Sequence, residues 1–413
     1  MQRGPPRKLS QNLIGFQFLM KIAMAMERFS RHAGGAESYA VELARALVSE
    51  GWEVHFFGHS WDGEPVEAVF HQIPRLPRWA PPSVRITAFA LRHRRMVRQQ
   101  RFDVILGFGN TLEMNVYQSH GGVHFLSSMR KLSAVRNPLF RFFKMLALFA
   151  APKYYARARI ESSPFRMEDR PVIIAISDMV RDDMSRYFHV DKTDIRLVYN
   201  GIDVNRFAAT GTERRDELRR RLEFGDRVLF LFMAYDFRKK GVQYLVEAAG
   251  ILKKRVGEGR FGVVVVSGPP SPSLSRQVRQ LDLRETVVFP GSTKEPEAFY
   301  QACDVFVLPT FYDACSLVVF EAMAAGLPAI TTVFNGASGI ITPGVDGMVL
   351  KDPGNTQEMA DAMERFLDRD TLTTASEAAR RTASKYSLEA NHRQMIDIIG
   401  EVCARNQPMY TAR

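Results

Sequence analysis

The chain has 413 residues, 46% of them apolar and 24% charged, with a formal net charge of +11. That length suits two domains of ordinary size, and the composition excludes a disordered or fibrous protein. No run of about 18 apolar residues occurs, so no transmembrane helix is expected. Three cysteines, Cys303, Cys315 and Cys403, make no CxxC pair and no metal spacing, in keeping with a reduced, cytosolic setting.

Residues 1–19 make a poor signal peptide, because Gln17 breaks the apolar stretch and no small-residue cleavage site follows. Folding is expected to begin at Met20, itself a candidate start, with 1–19 a disordered extension. From there strands and helices alternate. "KIAMAMERF" (21–29) reads as a buried strand, and 35–51 as an amphipathic helix closed by a glycine. "EVHFFG" (53–58), "FDVILGFG" (102–109), "EMNVY" (113–117) and "VIIAIS" (172–177) read as further strands. The second half repeats the pattern. Strands are expected at 227–234, 262–268, 286–291, 304–310, 329–332 and 347–350, and helices at 241–255, 296–303 and 316–326, with a last helix near 388–404. Such alternation predicts parallel, doubly wound α/β sheets. The expected division is a first Rossmann-like domain over 20–195, a second over 196–385, and a C-terminal helix in 386–413 packing back on the first. Ligands bind beyond the carboxyl ends of such strands, here in a cleft between two facing sheets.

Four segments carry candidate chemistry. In "FYDACSLVVFEAMAAGLP" (311–328), a helix starting near Cys315 would aim free N–H groups at the preceding loop, which favours phosphate. Glu321 lies about 12 Å beyond Asp313 at helical rise. That exceeds the roughly 5 to 9.5 Å of a glycosidase carboxylate pair. It suits a long ligand with hydroxyls at both ends and phosphates between, such as a nucleotide-sugar. The plainer alternative is an N-cap aspartate and a chance buried glutamate, although an ionised Glu321 among Val319, Phe320, Ala322 and Met323 needs a partner. "DFRKKG" (236–241) offers Arg238 and Lys240 at a strand end, where they would neutralise a diphosphate; a solvated basic turn is the alternative. Gly34 and Gly35 in "RHAGGAE" would let backbone N–H groups approach a ligand, or form a plain tight turn. This is not GxGxxG, so dinucleotide binding is not expected. His120 precedes Gly121 and Gly122 at a strand end and suits a sugar hydroxyl or proton transfer, whereas His124 reads as structural.

The basic excess is local. Arg85 to Ile160 holds 14 Lys and Arg against two acids, Asp103 and Glu113. "RITAFALRHRRMVRQQR" (85–101) brings Arg92, Arg94 and Arg95, and 129–159 interleaves bases with aromatics, among them Arg141, Phe142, Phe143 and Lys144. Bases beside large apolar side chains on a helix suit an anionic membrane surface. Nucleic acid is the rival partner, but no zinc finger, RNP-like motif or helix-turn-helix signature is present.

Together, Gly34-Gly35, "NGID" (200–203), "RKKG" (238–241) and "DACSLVVFEAMAAGLP" (313–328) resemble the family-4 retaining glycosyltransferases of the GT-B fold, with a look of bacterial lipopolysaccharide-core and cell-surface enzymes. The last motif is similar to the family's E-x7-E. The resemblance implies that Arg238 and Lys240 clamp the donor diphosphate and Glu321 holds the ribose. It implies that Asp313 holds the donor sugar, with the backbone of Cys315, Ser316 and Leu317 beneath sugar and phosphates. Gly35 would face the phosphates, and His120 would lie near acceptor and sugar. It also implies transfer with retention, without a metal or other cofactor, by front-side reaction in which the leaving phosphate accepts the acceptor's proton. Three departures stand out. The first acid is Asp313 rather than Glu, "FMAYD" lacks the basic residue many members carry, and Gly339 stands where a Glu is frequent. The expectation is a UDP-sugar-dependent hexosyltransferase at the cytoplasmic membrane face acting on a lipopolysaccharide-core or lipid-linked glycan, with no nucleic-acid partner. A sugar-nucleotide epimerase of the same fold and a non-enzymatic binder of anionic lipid or nucleic acid are the competing readings.

Overall fold

Continuous apolar runs become central strands here, because a parallel sheet is covered by helices on both faces. The computed structural model describes residues 20–30, 34–62, 66–208, 213–234 and 240–406; the expected extension 1–19 lies outside them. The protein folds as two parallel-sheet α/β domains. The first sheet has seven strands in the order Ala68–Gln72, Glu53–Gly58, Lys21–Ala25, Val104–Gly107, Val116–Ser119, Val172–Ala175, Ile195–Leu197. The second has six, in the order Val287–Gly291, Phe261–Val266, Val228–Met233, Val305–Leu308, Ala329–Thr332, Gly347–Leu350.

In each sheet the strand order reverses beside the first strand of that domain, at Lys21–Ala25/Val104–Gly107 and at Val228–Met233/Val305–Leu308. Loops leaving such neighbours diverge and open a crevice. The alternation of the first strand is visible in its packing. Ile22 and Met24 enter one core with Leu43 and Leu47 of helix Gly35–Ser49, whereas Ala23 and Ala25 enter another with Phe89 and Val97 of helix Pro82–Val97.

The single strand expected over 21–29 is two. Lys21–Ala25 belongs to the large sheet, and Arg28–Phe29 pairs separately with Ser60–Trp61. Glu27 and Arg28 are exposed, and a charged pair cannot continue into a sheet buried on both faces.

The last helix, Leu388–Asn406, buries Met395, Ile398, Ile399 and Val402 against the first domain's core, alongside Ile22 and Val54. The chain therefore crosses between the domains twice, and the two crossings pair: Ile202 N–H donates to Tyr386 O (3.0 Å) and Leu388 N–H to Ile202 O (2.9 Å). Gly201 is pressed against this junction, where a Cβ would lie 2.4 Å from Ser387 O.

Candidate active site in the interdomain cleft

The crevice of the second sheet opens beyond the carboxyl ends of its two central strands. The loop after Val228–Met233 delivers Lys240, and the loop after Val305–Leu308 delivers Asp313. Lys240 Nζ donates to Asp313 Oδ2. Gly241 sets this approach: its φ is +80°, and a Cβ there would lie 2.2 Å from Pro309 O. Asp313 is pinned by its backbone, donating to Phe334 O (2.9 Å) and accepting from Gly336 N–H (2.8 Å). Burial pushes its carboxyl pKa up, but Lys240 and the Cys315 N–H (3.3 Å) outweigh burial and hold it below the ordinary range. Arg238, expected beside Lys240, lies outside the described residues.

The helix at this mouth is Leu317–Ala325, one residue inside the expected 316–326 and two beyond a start at Cys315. Asp313 is therefore in the loop, and the helical spacing assumed between it and Glu321 does not apply over 313–316. Asn335 explains the shift, because its Oδ1 accepts the Ser316 N–H (3.3 Å) and thereby caps the turn from outside the helix. Cys315 and Ser316 are buried, and the Ala314 carbonyl accepts from Ser177 Oγ of the first domain (2.7 Å).

Across the cleft, Gly34 is extended and Gly35 opens helix Gly35–Ser49. A Cβ on Gly35 would stand 3.4 Å from Leu317 Cδ1, so the two helix N-termini meet there. Glu321 has the partner it needed. Tyr300 Oη donates to its Oε2 (2.8 Å), while the rest of that helix is almost wholly buried. Burial raises the Glu321 carboxyl pKa, and Tyr300 and Arg206 oppose the rise.

His120 follows strand Val116–Ser119 and sits between the rings of Tyr39 (4.7 Å) and Phe108 (5.4 Å). Burial lowers its pKa to about 4, so it is neutral at pH 7, and its Nε2 has no hydrogen-bond partner among the described residues. The next residues touch the second domain: Tyr312 Oη donates to Gly121 O (3.5 Å), and Gly122 has φ +65° with no room for a Cβ beside that hydroxyl.

Arg130 and Glu161 are not among the residues the sequence singles out, and Gly339 stands out there only as a departure. Arg130 makes a two-point ion pair with Asp183 (2.7 and 2.8 Å) and lies over Tyr312 and Phe334. Glu161 accepts the His124 N–H through both oxygens (2.9 and 3.1 Å), and burial lifts its pKa to about 7. Gly339, where a Glu is frequent, faces Tyr199: a Cβ would lie 2.1 Å from its hydroxyl, which donates to Asp178 Oδ2 (2.9 Å). There is no space for a side chain, and the Asp178 carboxylate already occupies that corner.

The expected membrane-facing residues divide between two helices. Arg92, Arg94 and Arg95 lie on Pro82–Val97, whose Phe89, Ala90, His93 and Val97 are buried; Arg92 donates to Pro74 O. Arg141, Phe142, Phe143 and Lys144 lie on Pro138–Phe149, which has no buried residue and leaves Phe142 49% and Phe143 58% exposed. No helix among the described residues is long and apolar enough to cross a membrane.

A fold with this cleft matches known families along its length. The family described as "Glycosyltransferase Family 4" matches residues 33–206, and "Glycosyl transferases group 1" matches 214–385. The chain belongs to the family-4 glycosyltransferases of the GT-B fold. It is 34% identical over 236 residues to an alpha-D-kanosaminyltransferase of Streptomyces kanamyceticus, covering 56% of this chain and 60% of that relative. The match thus spans about three fifths of that relative's length. Among solved structures, WaaG, a glycosyltransferase involved in lipopolysaccharide biosynthesis, superposes with a TM-score of 0.73 at 20% identity, covering 92% of this chain and 99% of that one. Anabaena Alr3699/HepE in complex with UDP gives 0.68 at 18% identity, covering 92% and 100%.

Proposed function

We propose that the protein transfers a sugar with retention from a nucleotide-sugar, a UDP-sugar first, to a lipopolysaccharide-core or lipid-linked glycan at the inner face of the cytoplasmic membrane. The observation that carries this reading is the Lys240–Asp313 pair at the switch point of the second sheet, just ahead of helix Leu317–Ala325, whose first residue meets Gly35 across the cleft. In this reading Lys240, with Arg238, neutralises the diphosphate and the charge that grows on it as the bond to the sugar breaks. Asp313 accepts hydroxyls of the donor sugar, and Glu321 those of the ribose. The backbone of Cys315, Ser316 and Leu317 and the glycines Gly34 and Gly35 line the phosphates. Neutral His120 turns toward the sugar and acceptor. The leaving phosphate takes the acceptor's proton, so these residues act by positioning and charge stabilisation without a metal. That a relative of this fold was solved with UDP supports the choice of nucleotide. Helix Pro138–Phe149 lies on the membrane through Phe142 and Phe143, with Arg141 and Lys144 on anionic headgroups.

Calorimetric titration with UDP, GDP and ADP tests the donor reading. Micromolar binding of one nucleotide is expected, lost in Glu321→Ala. Binding of none, or equal binding by wild type and both Glu321→Ala and Lys240→Ala, sinks it.

A further inference from the structure

A strongly basic cavity lies outside the donor crevice. It has a volume of about 710 Å³ and opens in the first domain between the loops after its first strands, helix Pro82–Val97 and helix Pro152–Glu161. Its described lining carries seven Lys and Arg, with Glu27 as the one acid. Arg28 is taken by Asp62, and Glu27 accepts from Asn110. Arg78, Arg85 and Lys153 make no ion pair among the described residues. Burial and then the charges of Arg157, Lys131 and Lys153 hold the pKa of His124, on the inner wall, down to about 4. So many like charges around one concavity repel each other unless an anion is supplied. Guanidinium forks match phosphate oxygens two at a time, and the volume is that of a ligand of several sugar rings or fewer.

Two further contacts say what kind of anion. Leu76, Ile86, Phe89 and Leu148 supply an apolar wall, and Leu148 belongs to Pro138–Phe149, the helix with no buried residue. On the other side, His124 and Arg157 also line a second hollow of about 280 Å³, shared with Gly121 and Gly122, which reach Tyr312 beside Asp313. The basic cavity is therefore walled by the apolar helix at one end and leads toward the Lys240–Asp313 pair at the other.

We propose that this cavity binds a phosphate or diphosphate carried by the acceptor, gripped by Arg78, Arg85, Arg157 and Lys153, so that the accepting hydroxyl extends past His124 toward the donor crevice. The inference rests on the glycosyltransferase reading for the word acceptor; the anion site itself stands on the cavity. A free sugar phosphate and a lipid phosphate present the same group, and the experiment separates them.

The test uses the full chain carrying Lys240→Ala, so that the donor clamp does not contribute. Inorganic pyrophosphate is titrated calorimetrically, and flotation is measured with phosphatidylcholine vesicles with and without phosphatidic acid. Arg78→Ala/Arg85→Ala is then added, with Arg78→Gln/Arg85→Gln as a milder pair; both side chains are at the surface, and unchanged thermal transitions check folding. About a tenfold loss of pyrophosphate affinity in both pairs is expected, and means that the phosphate alone is recognised. Loss confined to phosphatidic-acid vesicles means that it arrives on a lipid. No loss with either probe overturns the proposal. The two arginine changes alone, in a chain with Lys240, leave UDP affinity as in wild type. If wild type binds no UDP, the donor reading fails while the pyrophosphate result still decides the cavity.

Discussion

Lys240 and Asp313, 73 residues apart, neutralise each other at the point where the second sheet reverses its strand order. A diphosphate placed there must take Lys240 from Asp313, so the two residues act on nucleotide binding with opposite signs. Lys240→Ala should weaken UDP binding at least tenfold, about 1.4 kcal/mol. Asp313→Asn should strengthen UDP binding a few-fold, because it removes a competing negative charge, while lowering transfer from the UDP-sugar. Calorimetry on both variants, followed by a turnover assay, checks the pair of signs; weaker UDP binding in Asp313→Asn contradicts the account.

Glu321 is held by Tyr300, whose buried hydroxyl donates to it at 2.8 Å. Tyr300→Phe removes that donor and leaves a half-buried carboxylate, a change of about 1–3 kcal/mol. UDP affinity should fall several-fold in Tyr300→Phe and further in Glu321→Ala. Equal affinity in Tyr300→Phe and wild type would mean that the hydroxyl does not orient Glu321.

Gly122 joins the domains where no larger residue fits. Its φ is +65°, and the Tyr312 hydroxyl occupies the Cβ position. Gly122→Ala should destabilise the fold by about 2 kcal/mol or more through backbone and contact strain. Adding Tyr312→Phe should recover only part, since the left-handed backbone remains. Thermal unfolding of the two variants measures both shares.

Burial holds His93, His120 and His124 well below the ordinary histidine range, each to about 4. For such groups the folded state binds fewer protons than the unfolded chain between about pH 6.5 and pH 4. Their contribution to stability is therefore complete above pH 6.5 and is lost as pH falls through 4. The melting temperature should decline across that window, and the decline should be shallower in His120→Gln. An identical slope in His120→Gln would show that His120 is protonated at no cost.

Helix Pro138–Phe149 presents Phe140, Phe142 and Phe143 to solvent at 49–58% exposure. Phe142→Ser with Phe143→Ser should abolish flotation with anionic vesicles. Arg141→Ala with Lys144→Ala should weaken it by about 1 kcal/mol per charge and reduce its salt dependence. Flotation unaffected by the serine pair would remove this helix from the membrane.

The sequence by itself determined the grammar of the molecule. Apolar runs such as "VLFLFM" and "FGVVVV" became central strands within a residue or two of their expected ends, because a strand covered on both faces tolerates few polar residues. That Glu321 needs a partner was legible for the same reason, and Tyr300 supplies one. Tertiary structure alone decided the rest. It broke 21–29 at Glu27, moved the helix start to Leu317 through Asn335, and joined Lys240 to Asp313. Arg130 with Asp183, Glu161 under His124, and the tight fit of Gly339 against Tyr199 are also contacts between distant segments. So is the basic cavity, whose arginines are scattered from Arg28 to Arg157. Local sequence carries the period of an element and the cost of burying its charges. Which loops meet depends on strand order, and no short window of residues records that.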